Sequence, residues 1–337
     1  MIKNKRIEIF CGTGGVGKTT ISTSRALHLV SQGRNTLLIT IDPAKRLKQV
    51  LGIPENEEGL VVPVNKENFG IKSEALLDAL LLDPNSTLER IIGERIDNDI
   101  LKTLARPHGG LNEIMAVLEV QHHFNSGVYD TIVLDTPPGQ HFIDFLDASR
   151  KIKHFFDKTF AEIFNVIDDR NKTKKFLTKI VASGVDKLLT YLEKVTGKTF
   201  VAEFTQAIRI LYSNRNVFID GLKLEQELVN PELTNWFLVT SADQVKGQEA
   251  NHLFESSSKF SQNDNYIIIN KSWSEFIKNW EPENEKQKAL KDNFSHQLNQ
   301  IKKNISNFKI ETIEFPEVFE NQPSLQVRKL LETWEKI

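Results

Sequence analysis

Two rhythms of apolar and polar positions alternate along this chain. Short apolar runs stand at Arg6–Phe10, Thr36–Ile41, Leu76–Leu82, Tyr129–Leu134, Trp236–Thr240, Tyr266–Ile269 and Ile310–Phe315, each bounded by turn or polar residues. Apolar runs of this length predict strands buried on both faces of a parallel sheet. Between the first two, the spacing becomes helical from Lys18 to about Gln32, and Gly33 is placed to cap that helix. Strand, loop, helix and strand in this order predict a right-handed βαβ crossover. The full pattern predicts an α/β fold, a doubly wound and mostly parallel sheet covered by helices.

From Asp144 to about Val229 the strand rhythm stops. Phe, Leu and Ile recur at helical spacing among Lys, Asp and Glu, as in His154-Phe155-Phe156-Asp157-Lys158-Thr159-Phe160. This predicts a helical subdomain at about 144–230, inserted within a single domain spanning 1–337. A second polar helical stretch, Pro282 to about Asn304, precedes the last strand. No Pro/Gly/Ser-rich linker divides the chain.

Composition narrows the reading without naming a function. The 337 residues are 39% hydrophobic and 26% charged, with a net charge of -2, so bulk electrostatics give no reason to expect nucleic-acid binding. Cys11 is the sole cysteine; it excludes an intramolecular disulfide and a cysteine-built zinc site within one chain. No run approaches the roughly 18 apolar residues of a membrane span, and Met1-Ile2-Lys3-Asn4-Lys5-Arg6 leads straight into a strand. A cytoplasmic globular protein is expected, with any membrane association made through a partner.

The densest chemistry lies in Gly12-Thr13-Gly14-Gly15-Val16-Gly17-Lys18-Thr19-Thr20. Gly12, Gly17, Lys18 and Thr19 meet the pattern of a phosphate-binding loop, or P-loop, between a predicted strand and a predicted helix. Glycines let backbone N–H groups turn inward around phosphate oxygens, and the following helix adds its positive end. Gly14, Gly15, Val16, Gly17, Lys18, Thr19 and Thr20 are therefore the predicted contacts of ATP or ADP. Lys18 meets the β- and γ-phosphates, and the Thr19 hydroxyl coordinates Mg²⁺. Two strand-ending carboxylates follow. Asp42 is placed to polarise the attacking water, and Asp135 to support the magnesium shell. A strand-ending aspartate is often only a helix cap, but a phosphate loop nearby favours the catalytic reading for the pair.

Taken together, these residues resemble the deviant Walker A ATPases, and within them the ArsA-type anion-pump and tail-anchored-protein targeting ATPases. The resemblance covers nearly the whole chain. It takes in Gly12–Thr20, Asp42-Pro43-Ala44 as a first switch, Pro107–Val120 around Gly110-Leu111-Asn112-Glu113, and Asp135-Thr136-Pro137-Pro138-Gly139-Gln140-His141 as a second switch. It implies that Asn270, ending Ile267-Ile268-Ile269, contacts adenine, and that Phe315-Pro316 closes the base pocket. The bacterial Get-like branch is closer still, on Asp42-Pro43-Ala44-Lys45-Arg46-Leu47 and Asp144-Phe145-Leu146-Asp147-Ala148. Three departures stand out. Thr13 replaces the signature lysine that reaches the partner subunit's phosphates, with Lys45 and Arg46 as candidate substitutes. The Cys-x-x-Cys zinc clasp of the targeting ATPases is missing. Thiolates for arsenite or antimonite are missing as well.

The resemblance implies a nucleotide-switched ATPase, a homodimer or a heterodimer with a paralogue, acting on a protein client such as a membrane-protein helix or a regulator. A nucleotide-dependent scaffold with little hydrolysis is the alternative, and a pump-driving ATPase for arsenite or antimonite is third. Phenylalanines between Phe142 and Phe218 either pack the helical subdomain or line a client groove. His122-His123 point about 100° apart on a helix and do not chelate together, which leaves His141 as a hydrogen-bonder of the second switch.

Overall fold

The computed structural model describes residues 2–41, 45–54, 57–106, 111–156, 179–257, 265–306 and 310–337. Asp42 and the Pro107–Gly110 stretch lie outside the described residues, and so do the side chains of Lys45 and Arg46. Described residues fall into two compact units. One draws on Met1–Leu82, His122–Leu146 and Gln226–Ile337, and the other on Asp83–Gln121 and Asp147–Glu225.

The first unit holds one eight-stranded sheet: β1 (Ile7–Gly12), β2 (Thr36–Thr40), β3 (Val61–Pro63), β4 (Leu77–Leu81), β5 (Thr131–Asp135), β6 (Thr234–Ser241), β7 (Asn265–Ser272) and β8 (Glu311–Pro316). Their order across the sheet is β3-β4-β2-β5-β1-β6-β7-β8. Every pairing is parallel except that of β3 with β4. All seven apolar runs of the sequence form strands. The eighth strand, β3, is a three-residue edge containing Pro63, where a missing N–H costs no ladder bond.

Burial explains why these strands read as apolar runs. β1, β2, β5 and β6 are buried along their whole length, as a sheet covered on both faces requires. Phe10 stacks on Phe237 at 4.6 Å, and both rings meet Trp334 edge-on. Trp334 belongs to the C-terminal helix Pro323–Trp334, which packs on helix α1 (Lys18–Ser31) and donates its indole N–H to Ser24 Oγ at 2.9 Å.

The same core holds one charged pair. Arg25 on α1 meets Glu8 on β1 through two contacts, at 2.7 and 2.8 Å, and both side chains are essentially excluded from solvent. Asn4 Oδ1 and His28 Nδ1 take two of the three remaining guanidinium donors at 2.9 Å, and the Trp334 ring lies 5.0 Å away. A buried bidentate pair is costly to break, by about 3–5 kcal/mol when one partner is removed.

The second unit is helical. It contains Pro84–Ile92, Asp99–Leu104, Ala148–Phe155, Lys179–Thr196 and Lys198–Ser213, with most of Asn112–Ser126 and Arg215–Val229. Asn98 caps Asp99–Leu104, accepting from Leu101 N–H at 3.0 Å while its amide donates to the Glu203 carbonyl at 2.9 Å. Gly221 allows two helices to touch, since a Cβ there would stand 2.5 Å from Leu118 Cδ2.

Candidate nucleotide-binding site

Strand order places the chemistry. In open α/β sheets, ligands bind beyond the carboxyl ends of the strands where the winding reverses. Here that point is β1, with β5 and β2 on one side and β6 and β7 on the other. Phe10 and Thr40 are both in register with Asp135. The ends of β1, β5 and β2 therefore line up, and the phosphate loop leaves β1 beside them.

The loop is shaped by close approaches that only glycine permits. A Cβ on Gly12 would lie 2.2 Å from the Val239 carbonyl oxygen. Gly17 enters α1 at φ +92°, and a Cβ there would lie 2.3 Å from Asn270 Nδ2. The Asn270 amide donates to the Val16 carbonyl at 2.8 Å and so ties the end of β7 to the loop.

Lys18 is buried and turned into the loop, donating to the carbonyls of Gly12 at 3.1 Å and Thr13 at 3.0 Å. Thr19 Oγ1 donates to Asp135 Oδ2 at 2.7 Å, and Thr40 Oγ1 donates to the same oxygen at 3.3 Å. Beyond Asp135, Thr136 Oγ1 donates to the Phe10 carbonyl at 2.9 Å, and the Gly139 N–H reaches the Gly12 carbonyl at 3.4 Å. The second-switch segment is thus hydrogen-bonded to the phosphate loop's own strand. His141 stands 3.9 Å, nitrogen to oxygen, from Asp144 one turn on along the helix Gln140–Leu146. The ring centroids of His122 and His123 lie 5.1 Å apart at 73°, and the described residues hold no cluster suited to a metal ion.

Three cavities touch the loop among the described residues, and one of about 540 Å³ is lined by Thr13, Gly14, Pro138, Gly139 and His252. A small one, about 100 Å³, is lined by Gly15, Gly17, Thr20, Asn270, Lys271 and Pro316. A larger one, about 440 Å³, takes in Gly14, Gly15, Ser241, Lys246, Lys271 and Trp273. The loop residues Gly15, Gly17 and Thr20 thus share a wall with Asn270 and Pro316, while Gly14 lines the larger cavity. Val16 is fully buried and serves as a core anchor with its carbonyl presented to Asn270.

These residues fit a magnesium nucleotide. Nothing lies within 4 Å of where a Cβ on Gly14 or Gly15 would stand, so the cradle is open. Thr20 Oγ1 is buried at its wall with no hydrogen-bond partner, as expected of a hydroxyl awaiting an oxygen acceptor. Thr19 and Asp135 present hard oxygen donors within 2.7 Å of each other, the chemistry that Mg²⁺ prefers. Cys11, by contrast, is no soft-metal ligand. Burial pushes its thiol up to about 12, with the Lys18 charge opposing, and its Sγ faces the Phe237 carbonyl at 3.7 Å.

The sequence profile of the anion-transporting ATPases matches residues 5–318. The chain belongs to that family. Arsenical pump-driving ATPase 1 of Aquifex aeolicus is 26% identical to it over 282 residues, covering 79% of this chain and 63% of that protein. ATPase GET3 of Mycosarcoma maydis is 34% identical over 141 residues, 40% of each chain. The get3 ATPase of Botryotinia fuckeliana is 32% identical over 143 residues, 40% of this chain and 39% of its own. The chain thus spans less than two thirds of the length of these relatives. Among its described residues, no helix of this anion-transporting-ATPase relative is long and apolar enough to cross a membrane.

Two features of the site are invisible to motif reading. Lys271 is the sole non-glycine residue with positive φ among those described, at +56°. Glu314, on β8, accepts from Ser272 and Ser274 and pairs with Lys302 at 2.5 Å. Burial alone would raise its carboxyl, but the Lys302, Ser274 and Ser272 hydrogen bonds hold it below the ordinary carboxylate range. The alternation of β8 marks Glu314 only as one polar position in an apolar run.

Proposed function

We propose that this chain is a magnesium-dependent ATPase whose phosphate loop, Asp135 and Asn270 form one nucleotide site. The observation that carries the reading is the 2.7 Å bond between Thr19 and Asp135 at the mouth of the loop. It joins the first residues of α1 to the end of β5, the pairing that a loop-bound magnesium nucleotide needs. Thr19 and Asp135 would hold the metal, and a bound magnesium supplies positive charge to the phosphate oxygens. Lys18 would exchange its two backbone acceptors for phosphate oxygens. Asp42, two residues beyond Thr40, would polarise the attacking water. Asn270 would read adenine with Pro316 against the base, and its bond to Val16 would tie base recognition to loop position.

We infer further that the ATPase works in the cytoplasm as a dimer with itself or a paralogue, on a protein client. Support comes from the family and from the GET3 relatives. An arsenite or antimonite cargo has no support from this chain's thiols, because Cys11 is buried and its thiol is held protonated. The test is phosphate release from ATP by the purified chain, with and without magnesium, across a range of protein concentrations. Magnesium-dependent turnover whose rate per chain rises with concentration is expected. Tight ATP binding with no turnover at any concentration would overturn the hydrolytic reading.

A further inference from the structure

Thr13 brings no charge to the phosphate loop, and its hydroxyl is buried without a hydrogen-bond partner. The fold puts another ammonium group at the same rim. β7 and β8 run in register from Tyr266 to Ile269, and the pairing then slips before Ser272 meets Pro316. Asn270 and Lys271 are the residues inside this irregularity, opposite Phe315 alone on β8. Bulges of this kind re-aim a side chain and are enriched next to functional sites.

The backbone on either side is pinned. The Asn270 carbonyl accepts from Ala242 N–H at 3.1 Å and its amide holds Val16. The Ser272 carbonyl accepts from Glu317 N–H at 3.2 Å, and its hydroxyl donates to Glu314 at 2.7 Å. Between these anchors Lys271 is held at φ +56°, a conformation disfavoured for any residue with a Cβ and sustained only where the surroundings fix it. Lys271 is exposed and lines both described cavities that contain Gly15, and the smaller is also lined by Thr20, whose hydroxyl has no hydrogen-bond partner. Lys246, the other lysine of the larger cavity, is committed to Glu249 at 2.8 Å.

We propose that Lys271 is a cis-acting phosphate ligand of this site, supplying from the end of β7 a positive charge on the nucleotide's diphosphate that Thr13 cannot provide. The proposal rests on the nucleotide-binding reading. Its chemistry is that of a point charge on a flexible stem, suited to phosphate oxygens at a solvent-facing rim.

The test measures ADP affinity of the full chain by calorimetry for the parent, Lys271→Gly and Lys271→Arg, at low and high salt, with thermal unfolding alongside. Glycine adopts φ +56° without strain, so Lys271→Gly should unfold no earlier than the parent. It should nevertheless bind ADP about tenfold more weakly, the size of one lost charge-assisted hydrogen bond. Its affinity should also fall less steeply with salt. Lys271→Arg should stay within about threefold of the parent, because it keeps the charge. A Lys271→Gly protein that binds ADP like the parent overturns the proposal and leaves the nucleotide site standing. The same holds if Lys271→Gly and Lys271→Arg lose affinity equally with the parent's salt slope. A parent chain that binds no ADP overturns the nucleotide-binding reading, and this inference falls with it.

Discussion

The two compact units of this chain are built from different elements, one around a sheet and the other from helices alone. In the sheet unit, aromatic rings stack through the middle of the core, and one cluster of buried side chains runs from Ile2 through Phe10 and Phe237 to Trp334. The helical unit buries Leu101, Met115, Ile152 and Phe218 completely, and a smaller described cluster joins Leu189, Val201 and Ile208, with Leu192 and Phe204 against it. Large apolar side chains face solvent in both units: Tyr191 and Val195 of the helical unit are each 63% exposed, and Phe319 of the sheet unit is 84% exposed. Phe200 stacks on Phe204 at 6.3 Å and is itself 39% exposed. A phosphate site requires donors held to fractions of an ångström, which the dense core provides. Leu188, Tyr191 and Val195 recur at i, i+3 and i+7 along Lys179–Thr196, so they share one face of that helix.

This contrast can be broken or sharpened experimentally, and the largest effect is expected at the loop. Lys18→Ala should abolish ATP turnover and weaken ATP binding in calorimetry while leaving the far-ultraviolet dichroism of both units intact. Unchanged turnover would remove the loop from the mechanism. Next comes the core. Phe237→Ala, at a fully buried ring against Phe10, Tyr266 and Trp334, should cost about 3–5 kcal/mol in denaturant unfolding. Leu189→Ala in the thinner cluster should cost about 2–3 kcal/mol, toward the low end for a buried leucine. Equal losses would erase the distinction between the two clusters.

Chemistry should then separate from binding. Asp42→Asn should keep ATP affinity and slow hydrolysis by about 10²-fold; turnover within a few-fold of the parent would reduce Asp42 to a cap. A smaller effect is expected from pH. Burial, assisted by the Arg25 charge and opposed by Glu8, pushes His28 down to about 4 from its ordinary 6.5. Between those values the unfolded chain takes up a proton that the folded chain excludes. Stability of the sheet unit should therefore fall as pH drops from about 6.5 toward 4, by on the order of 1–3 kcal/mol. A flat urea midpoint across that window, or the same slope in His28→Gln, would contradict this. Smallest of all, Tyr191→Ser with Val195→Ser should shift stability by under about 0.5 kcal/mol yet reduce retention of an apolar client peptide. A loss of stability like that of Leu189→Ala would show these side chains to be core.

The strands were legible because a sheet covered on both faces leaves no room for polar interruption, and Thr36–Thr40 or Thr131–Asp135 read as strand from any direction. β3 was not, since Val61, Val62 and Pro63 are too few to show a period and owe their conformation to β4. The helices were legible as helices, but not their partners. Asp83–Gln121 joins Asp147–Glu225 through contacts such as Asn98 with Glu203 and Arg90 with Glu119, the latter at 2.8 Å, and distant pairings leave no local signature. In the site, Gly12, Gly17, Lys18 and Thr19 announce themselves because backbone sterics restrict what can stand there. Lys271 does not: a lysine after an asparagine has no motif, and its role follows from a one-residue slip between two strands.

That slip has an optical consequence. Two of the four tryptophans, Trp236 and Trp334, are sealed in the core. Trp280 sits half-buried against Phe276, its ring 5.3 Å away. Trp273 alone shares a wall with Gly14, Gly15 and Lys271, packed on Phe294 at 4.7 Å. The protein therefore carries an intrinsic fluorophore two residues from the bulge, beside the loop. Its emission, read against the constant background of the core indoles, should follow nucleotide arrival without any attached dye, and Trp273→Phe should silence that signal while leaving the spectrum of the core intact.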